Sequence, residues 1–450
     1  MNALAASSKP LMVNPLRVGR RVGATLAFLG LSRAIALEHG VRGCASFTKL
    51  FYMRHFHEPI PMQTTAVDHL GTVMGAEANV AEAVRTIIRR THPEIIGVFA
   101  SAPSDFQGVD LTHALAEFRG DAPTNQGVSV FPVPLDDGED CLEAGFARAL
   151  EAILDALVPA GRNIPRDERR VNVLIPSMLT PADAEALKDW IAAFGLTPVL
   201  VPDLGDSLDG HLQDQGFTPL TYGGTSRQII GRMSQAAATI VIGDSLNRAA
   251  DRLKERTGIP DFRFPTLMGL DACDDLTEAL RTLSGQPVPA RLERERARLL
   301  DAMVDCQFHT AGARIALAAD PDLAASLSAF AADMGLTVAA LVASAPSPAL
   351  AKLPEGTAIV GDLDDFERLA KAQGAHLLLG NSHVARLARA LGRPAVRVGY
   401  PQYDRMGALE KTWIGYGGAR RALFELVNAL LDGQAGPRPY FSTFRTKEDA

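Results

Sequence analysis

Short apolar runs alternate along this chain with amphipathic stretches of helical period. The runs are Ile95–Phe99, Val128–Val133, Val171–Ile175, Pro198–Val201, Thr239–Ile242, Arg314–Leu317, Val338–Val342, Ala358–Val360, His376–Leu379 and Ala395–Val398. Each is brief and continuously apolar, as a strand covered on both faces must be. Their alternation with helical stretches predicts parallel α/β layers.

A repeat sharpens the expectation. Val171-Asn-Val-Leu-Ile, a helical stretch and Gly195-Leu196-Thr197 form one unit; Arg314-Ile-Ala-Leu, a helical stretch and Gly335-Leu336-Thr337 form another. Further on, Ile242-Gly243-Asp244-Ser245 is echoed by Leu379-Gly380-Asn381-Ser382. Both follow an apolar run and precede a helical one, so they read as strand-to-helix turns with an N-cap. Neither copy carries G-x-G-x-x-G, so the duplication speaks for a Rossmann-like layer and not for a dinucleotide.

Two boundaries follow. Val158–Arg170 gathers Pro, Gly, Asn and the charge cluster Arg166–Arg170, and ends the first unit. Pro289–Met303 reads as a helix opened by Pro289, with Glu293/Arg296 and Glu295/Arg298 as i,i+3 pairs and its arginines on a solvated face. The 450 residues are too many for one core. The expected fold class is α/β: three Rossmann-like domains at 1–167, 168–300 and 301–450, each a mostly parallel sheet flanked by helices, the last ending in a helix and the polar tail Pro437–Ala450.

Composition narrows the class. The chain is 47% hydrophobic and 22% charged with a net charge of −7. No basic stretch is interleaved with aromatics, so nucleic acid is not an expected partner. No run of 18 or more apolar residues occurs, so no membrane span is expected either. The first residues lack a secretory h-region, and four scattered cysteines without a C-x-x-C point to a reducing cytoplasm.

Candidate chemistry is sparse. There is no Walker A, no G-x-S-x-G and no H-E-x-x-H. His39, His55, His57 and His69 cluster in sequence without metal-ligand spacing and read as structural or interface residues. Gly223-Gly224-Thr225-Ser226 fits an anion nest or, preferably, a loop followed by an N-cap. Asp203, Asp206 and Asp209 lack the closing Glu of a calcium loop and read as Asp turns. Cys141, Cys273 and Cys306 read as structural. The acidic stretch Asp136–Asp140 before Cys141 disfavours its thiolate.

Cys44 remains, in His39-Gly40-Val41-Arg42-Gly43-Cys44. Gly43 lets backbone approach whatever the sulfur holds. Two readings stand at this point: a small buried apolar residue, or a ligand. As a ligand of an iron–sulfur cluster, which usually takes four thiolates, Cys44 leaves the site incomplete within this chain.

The motifs decide between them by resemblance. His39-Gly40-x-x-Gly43-Cys44, then Arg54-His55-Phe56-x-Glu58-Pro59, then Gln63-Thr64-Thr65-Ala66 and Val73-Met74-Gly75 resemble the nitrogenase component 1 superfamily, and within it the branch that assembles the iron–molybdenum cofactor. The likeness continues through Ser207-Leu-Asp-Gly-His211, Gly223-Gly-Thr-Ser226, Gly269-Leu-Asp-Ala-Cys273 and Asn381-Ser-His383, and covers nearly the whole chain.

The resemblance implies an assembly scaffold in nitrogen fixation. It pairs with a homologous chain, NifE, in an α2β2 heterotetramer that shares a [4Fe-4S] cluster, with Cys44 as the single ligand from this side and three from NifE. The first domain then carries much of the partner interface. A transient iron–molybdenum cofactor precursor is held by the complex, mainly by NifE, while the nitrogenase iron protein docks transiently and donor and acceptor proteins bring and take the cofactor. No catalytic residue is implied in this chain. Arg42, where relatives commonly carry Gln, is expected to face the partner or tune the cluster; Met74 falls where a relative uses an aromatic to dock the iron protein. Three alternatives make different demands on the sequence. The catalytic nitrogenase β subunit needs one cysteine upstream of this motif and another after the Ile95–Phe99 strand, where the chain reads Ala100-Ser-Ala-Pro-Ser-Asp105. A dark-operative protochlorophyllide reductase subunit commonly uses an Asp ligand and a C-terminal extension. A Rossmann-like binding module needs no metal.

Overall fold

A computed structural model of the protein describes residues 5–6, 9, 14–68, 71, 75–119, 127–135, 141–161, 164–211, 218–354 and 357–433. These residues build three parallel sheets, each flanked by helices. The first has the order β3-β2-β4-β5, from β2 (Ala34–His39), β3 (Met62–Thr64), β4 (Ile95–Ala100) and β5 (Ser129–Pro132). The second has the order β7-β6-β8-β9, from β6 (Asp167–Leu174), β7 (Thr197–Val201), β8 (Ala236–Ile242) and β9 (Asp261–Phe264). The third runs β1-β12-β11-β10-β13-β14, from β10 (Arg314–Ala319), β11 (Thr337–Ala343), β12 (Ala358–Val360), β13 (Leu377–Gly380) and β14 (Ala395–Arg397), with β1 (Ala5–Ala6) added at its edge. The α/β class with Rossmann-like layers is as the sequence pattern implied.

All ten apolar runs are strands, shifted at their ends by a few residues. The duplication is also visible: β6 and β10 are the inner strands at which the order reverses in their sheets, and each precedes the repeated Gly-Leu-Thr turn before β7 and β11. The repeated turns differ in detail. Asn381 caps its helix, Ser382–Ala390, by accepting from the His383 and Val384 N–H groups. Asp244 does not cap in this way; it pairs with Lys352 at 2.6 Å, and the Ser245 N–H is taken by Asp322 from beside the third sheet. The helix expected after Pro289 spans Ala290–Thr310, but Arg296 reaches Asp274 in a two-pronged contact at 2.7–3.0 Å instead of pairing along its own helix.

The layers meet just past the carboxyl ends of their strands, where helix starts converge. Glu143, in the first turn of the helix Leu142–Leu157, accepts the Asp322 N–H at 2.7 Å. Asp320, which precedes the helix Pro321–Asp333, in turn accepts the Glu143 N–H and the Ser344 hydroxyl. Asp322 accepts the Ser245 N–H at 3.0 Å. Helix starts expose N–H groups without intrahelical partners, and here three segments answer one another's need with carboxylates. Glu143 and Asp322 are buried and Asp320 is partly so. Burial pushes Glu143 and Asp322 up, and Asp320 up to about 6.

A raised carboxyl keeps its proton in the native state after the unfolded chain has released its own. The stabilising contribution of Asp320 is therefore full below the ordinary carboxyl range near pH ~4 and lost as pH passes its folded value. The loss is on the order of 3 kcal/mol at ~1.4 kcal/mol per unit. Urea midpoints between pH 4 and 8 are expected to fall less steeply for Asp320→Asn than for the natural protein. Parallel pH profiles for the two contradict this account of the junction.

Candidate functional site

In the first sheet β2 has β3 on one side and β4 on the other, so the crevice at its carboxyl end is where open α/β sheets hold ligands. Cys44 lies there. The chain leaves β2 at His39, turns through Gly40 and Val41, and enters the helix Arg42–Phe56 with Cys44 in its first turn. Val41 is extended and offers no side-chain cap, so this helix start stays electropositive and open.

The motif residues around Cys44 hold that turn. Thr65 Oγ1 accepts the Gly40 N–H at 3.1 Å and lies 3.0 Å from His39 Nδ1. Thr64 donates its hydroxyl to the Gly40 carbonyl at 2.9 Å. On the other side the Ser101 N–H donates to the His39 carbonyl at 2.9 Å, and a Cβ on Gly40 would fall 2.1 Å from Ser101 Oγ. Gly40 is therefore required by close packing. Gly43 is not: a Cβ there meets nothing within 4 Å. It faces open space.

The far end of the helix is anchored. Tyr52 donates to the Val22 carbonyl at 2.8 Å. His55 Nδ1 accepts the Gln402 N–H at 2.9 Å, and burial lowers this imidazole to about 3, which keeps it neutral. The Arg54 guanidinium sits 4.2 Å above the Tyr403 ring. The Arg-His-Phe motif thus docks the Cys44 helix on the loop after β14. His39 and His55 are structural, as expected. His57 ends the helix in a left-handed turn at φ 62. His69 and Met74 lie outside the described residues.

Cys44 is half-buried. Burial raises its thiol first and the nearby Glu38 carboxyl second, while Arg21 lowers it. The thiol is protonated in the free chain, and a metal has to displace that proton. Glu38 is only 1% exposed, and burial pushes it up to about 7. Arg21 is engaged by Asp105 and by the Ala100 carbonyl, the latter at 2.7 Å. Asp105 stands in the stretch where the catalytic β subunit pattern asks for a cysteine.

The remaining candidates separate from this site. Asp203 caps the turn Leu204–Ser207 and pairs with Lys188 at 2.7 Å, while Asp206 accepts the Gly224 N–H at 2.8 Å. Gly223 and Gly224 both have positive φ, and Ser226 caps the following turn, so Gly223–Ser226 is a loop with an N-cap. Cys141, Cys273 and Cys306 are buried. The Cys141 thiol is raised by burial above all, then by Asp320 and Glu143; the acidic stretch credited from sequence lies outside the described residues. Among the described residues no group of three or more His, Cys, Asp or Glu side chains is arranged to hold a metal. No described helix is long and apolar enough to cross a membrane. Cys44 thus offers one half-buried thiol next to a glycine with free space, a donor that fits one corner of a cluster.

Comparison with known proteins places the chain. The family described as "Nitrogenase component 1 type Oxidoreductase" matches residues 20–431. The chain belongs to this family. Two solved structures share its architecture: one titled "Nitrogenase Cp1 at pH 6.5" has a TM-score of 0.87 at 28% identity and covers 95% of both chains, and one titled "Nitrogenase Cp1 at pH 5" has a TM-score of 0.70 at 14% identity, over 96% of this chain and 91% of the other. Within the family the chain belongs with the NifN proteins. It is 38% identical over 444 residues to the "Nitrogenase iron-molybdenum cofactor biosynthesis protein NifN" of Klebsiella pneumoniae, spanning 99% of this chain and 96% of that one. The proteins of the same name from Nostoc and Rhodobacter capsulatus are also 38% identical, over 96% and 98% of this chain and 96% and 95% of their own lengths.

Sequence reasoning from residues alone missed β2, because Glu38 and His39 break its apolar pattern. It therefore missed that Cys44 stands at a sheet switch point. In the native chain iodoacetamide is expected to modify Cys44 about tenfold faster than Cys141, Cys273 or Cys306, because exposure governs thiol reactivity. Peptide mass spectrometry reads the order. Equal labelling of all four contradicts this geometry.

Proposed function

We propose that this chain is a scaffold subunit for biosynthesis of the nitrogenase iron–molybdenum cofactor. It contributes Cys44 as one thiolate to a [4Fe-4S] cluster, and a NifE partner contributes three. One observation carries the reading. Cys44 is the sole cysteine that is not fully buried, at an uncapped helix start next to a glycine with free space, and no group of three or more metal-ligating side chains is gathered among the described residues. Membership among the NifN proteins, which are named for biosynthesis of the iron-molybdenum cofactor, supports the scaffold role.

In this reading the chain's own residues do structural work. Thr64, Thr65 and Ser101 fix the turn before Cys44, and His55 and Arg54 fix the helix behind it. The bound cluster supplies electron-transfer capacity. The pair assembles as an α2β2 heterotetramer and holds the cofactor precursor mainly on the NifE side. It receives electrons from the nitrogenase iron protein and exchanges the cofactor with donor and acceptor proteins. Arg42, exposed at the helix start, faces the partner or tunes the cluster electrostatically in this reading.

The test is anaerobic expression of the chain alone and with NifE, followed by iron and sulfide assays and electron paramagnetic resonance. About four irons per pair are expected at this site in the complex, none in the chain alone, and loss of the cluster signal in Cys44→Ala. A cluster of undiminished intensity in the Cys44→Ala complex overturns the assignment.

A further inference from the structure

We propose that Glu38 is a positioning residue that faces the group bound at Cys44 and sets its reduction potential. The inference rests on the cluster reading of Cys44 given above.

The placement follows from the strand. Side chains of β2 alternate between its two faces. Ala34 and Ala36 share a core with Ala45, Tyr52 and Phe56 of the Cys44 helix, whereas Ile35 and Leu37 pack into a separate core on the opposite face. Glu38 continues the first series. It therefore lies on the face of the sheet that carries both the Cys44 helix and the helix Arg20–Leu29, at the carboxyl end of the strand that leads into the Cys44 turn.

The chemistry of this position is unusual. Glu38 is 1% exposed, yet its Oε2 accepts no hydrogen bond. The neighbouring cation does not supply one, because the Arg21 guanidinium is held by Asp105 and the Ala100 carbonyl. A buried carboxylate oxygen without a donor is unfavourable, and native folds rarely keep one without a reason. Glu38 also acts electrostatically on the Cys44 thiol, which places the two groups within each other's field. A half-buried cysteine and a buried carboxyl with an oxygen left without a hydrogen bond, on the same face of the sheet, together define a site prepared for a third group.

Charge near an iron–sulfur cluster shifts its potential, and a buried charge is poorly screened. A carboxylate at Glu38 favours the oxidised cluster and lowers the potential.

The experiment is a potentiometric titration, followed by electron paramagnetic resonance at pH 8, of the anaerobically purified complex with NifE. The natural chain, Glu38→Gln and Glu38→Asp are compared. Glu38→Gln is expected to raise the midpoint, making the one-electron reduction constant about tenfold more favourable, or about 59 mV. Glu38→Asp keeps the charge on a shorter arm and is expected to fall between the two. Iron content and signal shape stay unchanged, which separates tuning from damage. An unchanged midpoint in Glu38→Gln, with the cluster present and dependent on Cys44, overturns this inference alone. A cluster independent of Cys44 in the natural chain overturns the reading beneath it as well. Should Glu38→Gln not assemble, Glu38→Asp decides: a midpoint equal to that of the natural complex overturns the proposal.

Discussion

The whole arrangement depends on how helix starts are satisfied where the parallel sheets face one another. A parallel sheet sends each strand into a helix whose first N–H groups lack intrahelical partners. In a single layer, water answers them. Here the layers close over that edge, and side chains must answer them instead. Glu143 serves the Asp322 N–H, Asp320 serves the Glu143 N–H, and Asp322 serves the Ser245 N–H. Each contact joins segments far apart in the chain, so the three layers are fixed together by their own helix termini. The same rule explains Asn381, which caps its helix and also donates to the Pro15 carbonyl, tying the start of the chain to the third sheet.

The start of the Cys44 helix, like several others in the chain, is left without a side-chain cap, and it alone carries a cysteine in its first turn beside a glycine with free space. Its N-terminus has no cap, its second residue is a glycine with space around it, and its sulfur is half-exposed. Everything surrounding it is fixed: Thr64 and Thr65 from β3 and its exit, Ser101 from the exit of β4, His55 and Arg54 on the third-sheet loop. A rigid frame around one open ligand is what a site completed by a second chain requires. The family motifs thereby acquire separate duties. His-Gly and Gln-Thr-Thr build the turn, Arg-His-Phe anchors the helix, and Gly-Cys faces outward.

How much of this was legible in the sequence follows from what each feature depends on. Continuous apolar runs give strands, and all ten such runs are strands. β2 and β9 were not legible because their patterns are broken: Glu38 and His39 end the one, and Asp261-Phe-Arg-Phe alternates as an edge strand in the other. β1 and β3 are too short to carry a pattern. The junction acids could not be foreseen, since Glu143 and Asp322 gain their meaning only from contact across the layers. Cys44 stood out from the start, but its neighbours gave two readings, and family resemblance chose between them. Glu38 went unnoticed because a single acid beside a histidine looks like a strand end until its burial is known.

The central claim is that Cys44 is one corner of a site divided between two chains. A structure of the anaerobically isolated complex at a resolution that separates iron from sulfur tests it most directly. The account predicts continuous density from Cys44 Sγ into a four-iron group whose other ligands belong to the partner subunit. A free Cys44 thiol, with a cluster fully ligated by the partner alone, would contradict it.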